Sequence, residues 1–121
     1  MSAITIQNNG EILVLGFTDT KILDSQRIEL VGKELQEAVP QAIHKKILLN
    51  FRGVSFMSSA MITKLVMLNK TCKAKGITLK FCEVSANVME VFKITKLNKL
   101  FDIQGDEEKT IANFDKKGWF G

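Results

Sequence analysis

Two adjacent hydroxyls, Ser58 and Ser59, stand where the apolar run Val54-Ser55-Phe56-Met57 gives way to the helical pattern Ala60-Met61-Ile62-Thr63-Lys64-Leu65. A helix N-terminus presents unpaired backbone N–H groups and the positive end of the helix dipole, so a phosphate there is electrostatically favoured. The pair is therefore a candidate phosphorylation switch. With Ser58 as N-cap, its hydroxyl accepts from the N–H of Ala60 or Met61, and Ser59 becomes the first helical residue. At about 100° per residue, Met61, Leu65, Leu68 and Cys72 share one stripe, and Ser59, Thr63, Val66, Met67 and Lys70 lie on the opposite face. Ser59 is thus expected at the surface, with Thr63, Val66 and Met67 as a docking stripe and Lys64 within reach of an added phosphate. Such a group would bring ~1.5 to 2 negative charges. A serine pair at a helix start also serves simply as a cap, and the dipeptide alone does not separate the two roles.

Other chemistries lack their parts. His44 is the sole histidine and sits between a turn and a lysine pair, where it is read as solvent-facing. Cys72 and Cys82 form no CxxC spacing, so neither a zinc site nor a Ser-His-Asp nucleophile has its usual components. Neither GxGxxG nor a GxxxxGK phosphate loop occurs. Glu107 and Glu108 are adjacent, so on a helix they point in different directions and favour its dipole rather than acid–base work. No conventional enzyme, cofactor or metal is expected.

The elements that must position the serines follow from periodicity. Residues 4–7 and 11–17 are β-prone runs flanking Asn8-Asn9-Gly10, and Asn-Gly between such runs marks a hairpin because both residues tolerate positive φ. Asp24 or Ser25 caps a helix whose apolar positions Ile28, Val31, Leu35 and Val39 recur at three and four residues and stop before Pro40. The continuous run Ile47-Leu48-Leu49, within 46–51, predicts a strand covered on both faces. The helix opened by the serines continues to about Lys75 and ends at Gly76, a fitting C′ residue. Ile77, Leu79 and Phe81 alternate with Thr78, Lys80 and Cys82 as a further strand. Ser85 caps a third helix with Val88, Val91, Phe92 and Ile94, a short strand is expected near 101–103, and Asp106 opens a last helix through Ile111 and Phe114. Alternating strands and helices after a hairpin predict an α/β fold, a single domain over 1–115 with a mixed β-sheet and right-handed crossovers. Residues 116–121 read as a tail, in which Trp119 and Phe120 fold back on the body or offer an aromatic contact.

The 121 residues, 45% hydrophobic and 25% charged, have the composition of one globular domain. No run approaches the ~20 apolar residues that span a bilayer, and no signal peptide is legible, so a cytoplasmic protein without direct membrane insertion is expected, its two cysteines buried as thiols. The formal charge of +4 is divided: between His44 and Lys80 lie eight Lys or Arg and no acid, whereas Asp102, Asp106, Glu107, Glu108 and Asp115 crowd the end. A positive central surface follows, or simply a solvated face. Nucleic acid is not expected as a partner, because the aromatics beside the basic stretch, Phe51, Phe56 and Phe81, are read as core.

Several pieces, in order, carry a family resemblance: the strand and turn 47–57, the serine pair, Lys75-Gly76-Ile77-Thr78-Leu79, and Val91-Phe92-Lys93-Ile94-Thr95-Lys96-Leu97 running on to Ile103. Gly16-Phe17-Thr18-Asp19 matches more loosely. Together they resemble the STAS domain, named for sulfate transporters and anti-sigma factor antagonists. The resemblance implies a mixed sheet packed on one side by helices, about four in all, and a non-enzymatic bacterial regulator of transcription. In stand-alone antagonists a serine in an Asp-Ser-Ser/Thr-Gly sequence is phosphorylated by a kinase that is also the anti-sigma factor; the unphosphorylated form binds that kinase and the phosphorylated form releases it. Ser59 matches the phosphorylated serine. Here the sequence is Ser58-Ser59-Ala60-Met61, so the aspartate is serine and its fixed charge is lost, and Ser58 becomes an alternative acceptor. The implied function is partner switching, with an anti-sigma factor or serine kinase docking on Asp19, Ser58, Ser59, Thr63, Val66 and Met67. The altered motif and basic middle also allow a constitutive STAS subunit of a membrane transport complex, docked on a cytoplasmic ATPase. Relatives that associate with purine nucleotides leave weak nucleotide binding near Lys64 as a third reading.

Overall fold

The structure, a computed structural model, describes residues 2–115. Strands β1 (Ile4–Asn9) and β2 (Ile12–Phe17) form the expected antiparallel hairpin. Asn9 pairs with Ile12, so the central turn residues are Gly10 and Glu11, one position later than the Asn-Gly signal places them. Gly10 alone is left-handed there, at φ +60°; a turn centred on Asn9-Gly10 would ask Asn9 for that conformation as well. The apolar stretch before the serines forms a strand only at β5 (Phe56–Met57), which pairs in parallel with β3 (Lys21–Ile22), a strand that escapes sequence reading, as a separate two-stranded sheet. With β4 (Lys46–Asn50) and β6 (Thr78–Cys82), both parallel to their neighbours, the main sheet has the order β1-β2-β4-β6. A bridge from Phe81 to Ile103 extends it at the predicted 101–103 strand.

Helices α1 (Ser25–Ala38), α2 (Ser59–Ala74) and α3 (Ala86–Ile94) lie close to their expected spans. Asp24 caps α1 by accepting from the amides of Gln26 and Arg27, and Ser85 caps α3 by accepting from Val88. At the end of α2, Gly76 sits at φ +70°, donating to the Lys73 carbonyl at 3.2 Å while Ile77 donates to Cys72 at 2.8 Å. These are the two bonds of a Schellman stop. Leu13, Leu15, Ile47, Leu49, Leu79 and Phe81 face these three helices, while Ile12, Val14, Leu48 and Cys82 face the other way. On that second side the short helix α4 (Glu107–Ala112) brings Ile111 and Phe114 over the sheet, so the helices occupy both faces rather than one.

The main core centres on Phe51, whose ring lies 5.1 Å from Phe17 and from Phe81 and 6.2 Å, edge-on, from Phe92. Phe101 closes the cluster at 4.7 Å from Phe81. Phe56, expected in this core, is 43% exposed, and Ile94 is 72% exposed. Cys72 and Cys82 are buried free thiols, their pKa values pushed up to about 11 and about 12 by burial. They stay protonated and unreactive near neutral pH. Residues 116–121, with Trp119 and Phe120, lie outside the described residues.

The basic middle of the chain is neutralised in part. Lys46 pairs with Glu11 and Asp115, Arg52 with Glu83, Lys64 with Glu29 and Lys80 with Asp102, so half of the eight cations meet acids from outside their stretch. Among the described residues, no helix is long and apolar enough to cross a membrane.

Since Phe51 touches three rings at once and is fully buried, Phe51→Ala is expected to cost about 3–5 kcal/mol. Urea unfolding would show it as a lowered midpoint with an unchanged slope.

Candidate docking and phosphorylation site

The short sheet decides where α2 begins. Beyond the Lys21–Phe56 and Ile22–Met57 pairs, Ser55 donates its amide to the Thr20 carbonyl at 2.8 Å and Ser58 donates to Ile22 at 3.1 Å. Two loops distant in sequence, 18–23 and 54–58, are thereby zipped together. Ile22 and Met57 point into the core, with Ile22 fully buried and Met57 nearly so. Lys21 and Phe56, their exposed neighbours, face solvent, and Leu23 beyond them is half exposed.

Ser58 is the N-cap of α2 by backbone, its carbonyl accepting from Met61 at 3.1 Å and Ile62 at 3.3 Å. Its hydroxyl does not make the expected capping bond. The Oγ is turned into the protein, buried and without a hydrogen-bond partner among the described residues. Ser59 is the first helical residue and is exposed, as the periodicity predicts. Thr63, one turn on, is also exposed and returns its hydroxyl to the Ser59 carbonyl at 3.4 Å. Met67 is 51% exposed. Val66 departs from the expected stripe: it is partly buried and packs on the core. The inward stripe of Met61, Leu65, Leu68 and Cys72 is as predicted.

Two charged residues are engaged elsewhere. Lys64 lies across α1, its aliphatic stem over buried Gly32 and its Nζ 3.0 Å from Glu29, rather than beside the helix N-terminus. A Cβ at residue 32 would meet Lys64 Cδ at 2.7 Å, so glycine there makes room for the stem. Asp19 is held by the Arg27 guanidinium through two bonds of 3.0 Å, Nε to Oδ2 and Nη2 to Oδ1. That fork keeps the Asp19 carboxyl below its ordinary pKa. Arg27 and Phe56 are the residues that sequence reasoning missed; an arginine one turn into a helix carries no signal of a partner eight residues back in a loop.

The site thus gathers exposed Ser59, Thr63, Met67 and Phe56 beside the Asp19 loop, which β3 carries alongside β5. Residues 3–110 match the STAS domain. The chain belongs to the STAS family. Solved structures agree in fold: an anti-sigma factor antagonist (STAS) domain protein from Planctomyces limnophilus matches at TM-score 0.80 and 20% identity, covering 93% of this chain and 97% of that one. The Bacillus cell fate determinant SpoIIAA in its phosphorylated form matches at TM-score 0.70 and 18% identity, covering 93% and 99%. SLC26A9 matches at TM-score 0.59 and 14% identity, but only 20% of its length is covered by 88% of this STAS chain.

Loss of a working serine N-cap costs about 0.5–2 kcal/mol, but the Ser58 hydroxyl is a buried oxygen without a partner, so Ser58→Ala should be neutral or slightly stabilising in urea unfolding. Asp24→Ala, which removes a formed cap, should lose about 1 kcal/mol in the same assay. The Asp19 carboxyl binds its proton less readily folded than unfolded, so the Arg27 pair adds stability above the ordinary carboxylate pKa that is lost as pH falls through the lower, folded value. Asp19→Asn should therefore flatten the decline of Tm measured below about pH 4.

Proposed function

We propose that this STAS protein is a non-enzymatic regulator resembling the anti-sigma factor antagonists, which binds a kinase-type anti-sigma partner in the cytoplasm through the start of α2 and the loops zipped beside it. The observation that carries this reading is the exposed Ser59 at the first position of a 16-residue helix, with the exposed apolar side chains of Phe56 three residues before it and of Met67 about two turns after it. Apolar anchors beside a modifiable hydroxyl suit a surface whose partner is turned away by charge. Phosphate on Ser59 would place a desolvation penalty and like-charge repulsion inside the interface, and ~3 kcal/mol is enough for more than a hundredfold change in affinity.

Ser59 is the proposed acceptor. Ser58, the alternative, has its oxygen buried and would need the helix start to open before a kinase could reach it. Thr63 and Met67 are proposed direct contacts; Val66 supports them from beneath, and Asp19 acts through the shape that Arg27 gives its loop.

The test is binding of wild type, Ser59→Asp and Ser59→Ala to the kinase domain encoded nearest the gene, measured by calorimetry. Tight binding by wild type and Ser59→Ala with at least a tenfold loss for Ser59→Asp is expected. Equal affinities for all three would remove Ser59 as the switch.

The constitutive transport-subunit reading keeps the altered serine motif in its favour, while its other motive, a basic middle, is weakened by the ion pairs described above. Co-purification with a membrane ATPase, with Ser59 unmodified in intact mass, would select it. Nucleotide binding loses its anchor, since Lys64 is committed to Glu29.

A further inference from the structure

The two edges of the main sheet are treated differently. Beyond β6, the 101–105 segment closes the edge: Phe81 donates to the Asp102 carbonyl at 2.8 Å, Gln104 donates to Phe81 at 2.7 Å, and Glu83 donates to Gly105 at 2.9 Å. Among the described residues, no strand follows beyond β1. The Ala3 carbonyl accepts from Thr18 on the β2 side, so by antiparallel alternation Thr5, Gln7 and Asn9 also turn their backbone groups toward β2, and Ile4, Ile6 and Asn8 turn theirs outward. The Ile4 amide is met by Glu34 Oε1 at 3.1 Å. Among the described residues, the outward groups of Ile6 and Asn8 have no hydrogen-bond partner.

Exposed edge strands are normally guarded by lysine, proline, an inward-pointing charge or a bulge. The sequence of β1, Ile4-Thr5-Ile6-Gln7-Asn8-Asn9, has neither charge nor proline, its pairing with β2 runs unbroken over all six residues, and Ile6 is 45% exposed. In a chain of formal charge +4, this is a surface that meets its own copy without like-charge repulsion.

We propose that β1 is a self-association edge, pairing antiparallel with β1 of a second copy about a two-fold axis through Ile6. Each Ile6 then exchanges both backbone bonds with its symmetry mate, and each Asn8 exchanges both with the Ile4 opposite, its carbonyl displacing Glu34 Oε1 from the Ile4 amide while Glu34 keeps the Ala3 amide. The two Ile6 side chains cover one another on the helical side of the joined sheet. Because the β6 edge is already closed, this contact cannot propagate into a filament; it ends at the dimer. Six backbone bonds, two of them replacing bonds to Glu34, and one apolar pair make a small interface, so the association belongs to the weak, concentration-dependent class.

The test is sedimentation velocity of the full chain across the micromolar to sub-millimolar range, with two variants. Wild type is expected to climb from the monomer mass toward twice that mass. Ile6→Pro should remain monomeric with an unchanged Tm, since the amide it removes is not bonded to β2 and proline is tolerated on such an edge. Independently of how that variant folds, Ile6→Cys should form an intermolecular disulfide on mild oxidation: directly opposed hydrogen-bonded residues have Cα atoms about 5.5 Å apart, within disulfide reach, and the native thiols are buried. Asn9→Cys, far from its own symmetry mate in this register, should not cross-link. A wild type that is monomeric throughout would overturn the proposal, and would be the result if the C-terminal tail or another protein's strand owned this edge. Dimerisation surviving Ile6→Pro, or equal cross-linking from Asn9→Cys, would overturn it as well.

Discussion

The parallel pairing of two dipeptides, Lys21-Ile22 with Phe56-Met57, is the constraint on which the site depends. So short a sheet would not persist alone. It persists because Ile22 and Met57 are buried beneath it and because Ser55 and Ser58 extend the hydrogen bonding at either end. Its effect is to fix the residue at which α2 starts. A start one residue earlier would rotate the helix by about 100°, carrying Met61, Leu65 and Leu68 off the core and Ser59 off the surface. Helix phase and hydroxyl exposure are therefore one quantity, set by four backbone contacts outside the helix.

The second determinant is charge placement. Sequence order suggests a basic middle and an acidic end, but folding brings the two together: Glu11 and Asp115 to Lys46, Glu83 to Arg52, Asp102 to Lys80. These pairs are mostly exposed at one partner and add little stability singly. Their consequence is electrostatic: cations that are clustered in sequence are partly neutralised in space, and Lys64 is withdrawn to Glu29 rather than set beside Ser59.

Long elements were legible because burial imposes a period on them. Ile28, Val31 and Leu35 in α1, Met61, Leu65 and Leu68 in α2, and the alternation through Leu79 and Phe81 all mark faces that the structure buries. The Schellman glycine and the Asp24, Ser85 and Asp106 caps were legible for a local reason, since their partners lie within a few residues. The missed features are non-local or too short to show a period. β3 has two residues and a partner far away in sequence, Phe56 is exposed only because β5 sets its side, the Arg27 fork to Asp19 joins a helix to a loop, and the Ser58 hydroxyl turns inward on a backbone that sequence alone would cap. The exposure of Ser59 was legible because it depends on helical phase, and that of Val66 was misjudged because a residue at the border of a stripe can tilt either way.

The inward and outward residues of the short sheet alternate, so anchoring and the proposed docking surface reside on different side chains a single residue apart. Ile22 and Met57 can stay while Lys21, Leu23 and Phe56 are rewritten, and such replacements at exposed positions seldom disturb stability by more than about 0.5 kcal/mol. The exposed surface can thus change its chemistry without first having to be rescued by compensating changes in the interior.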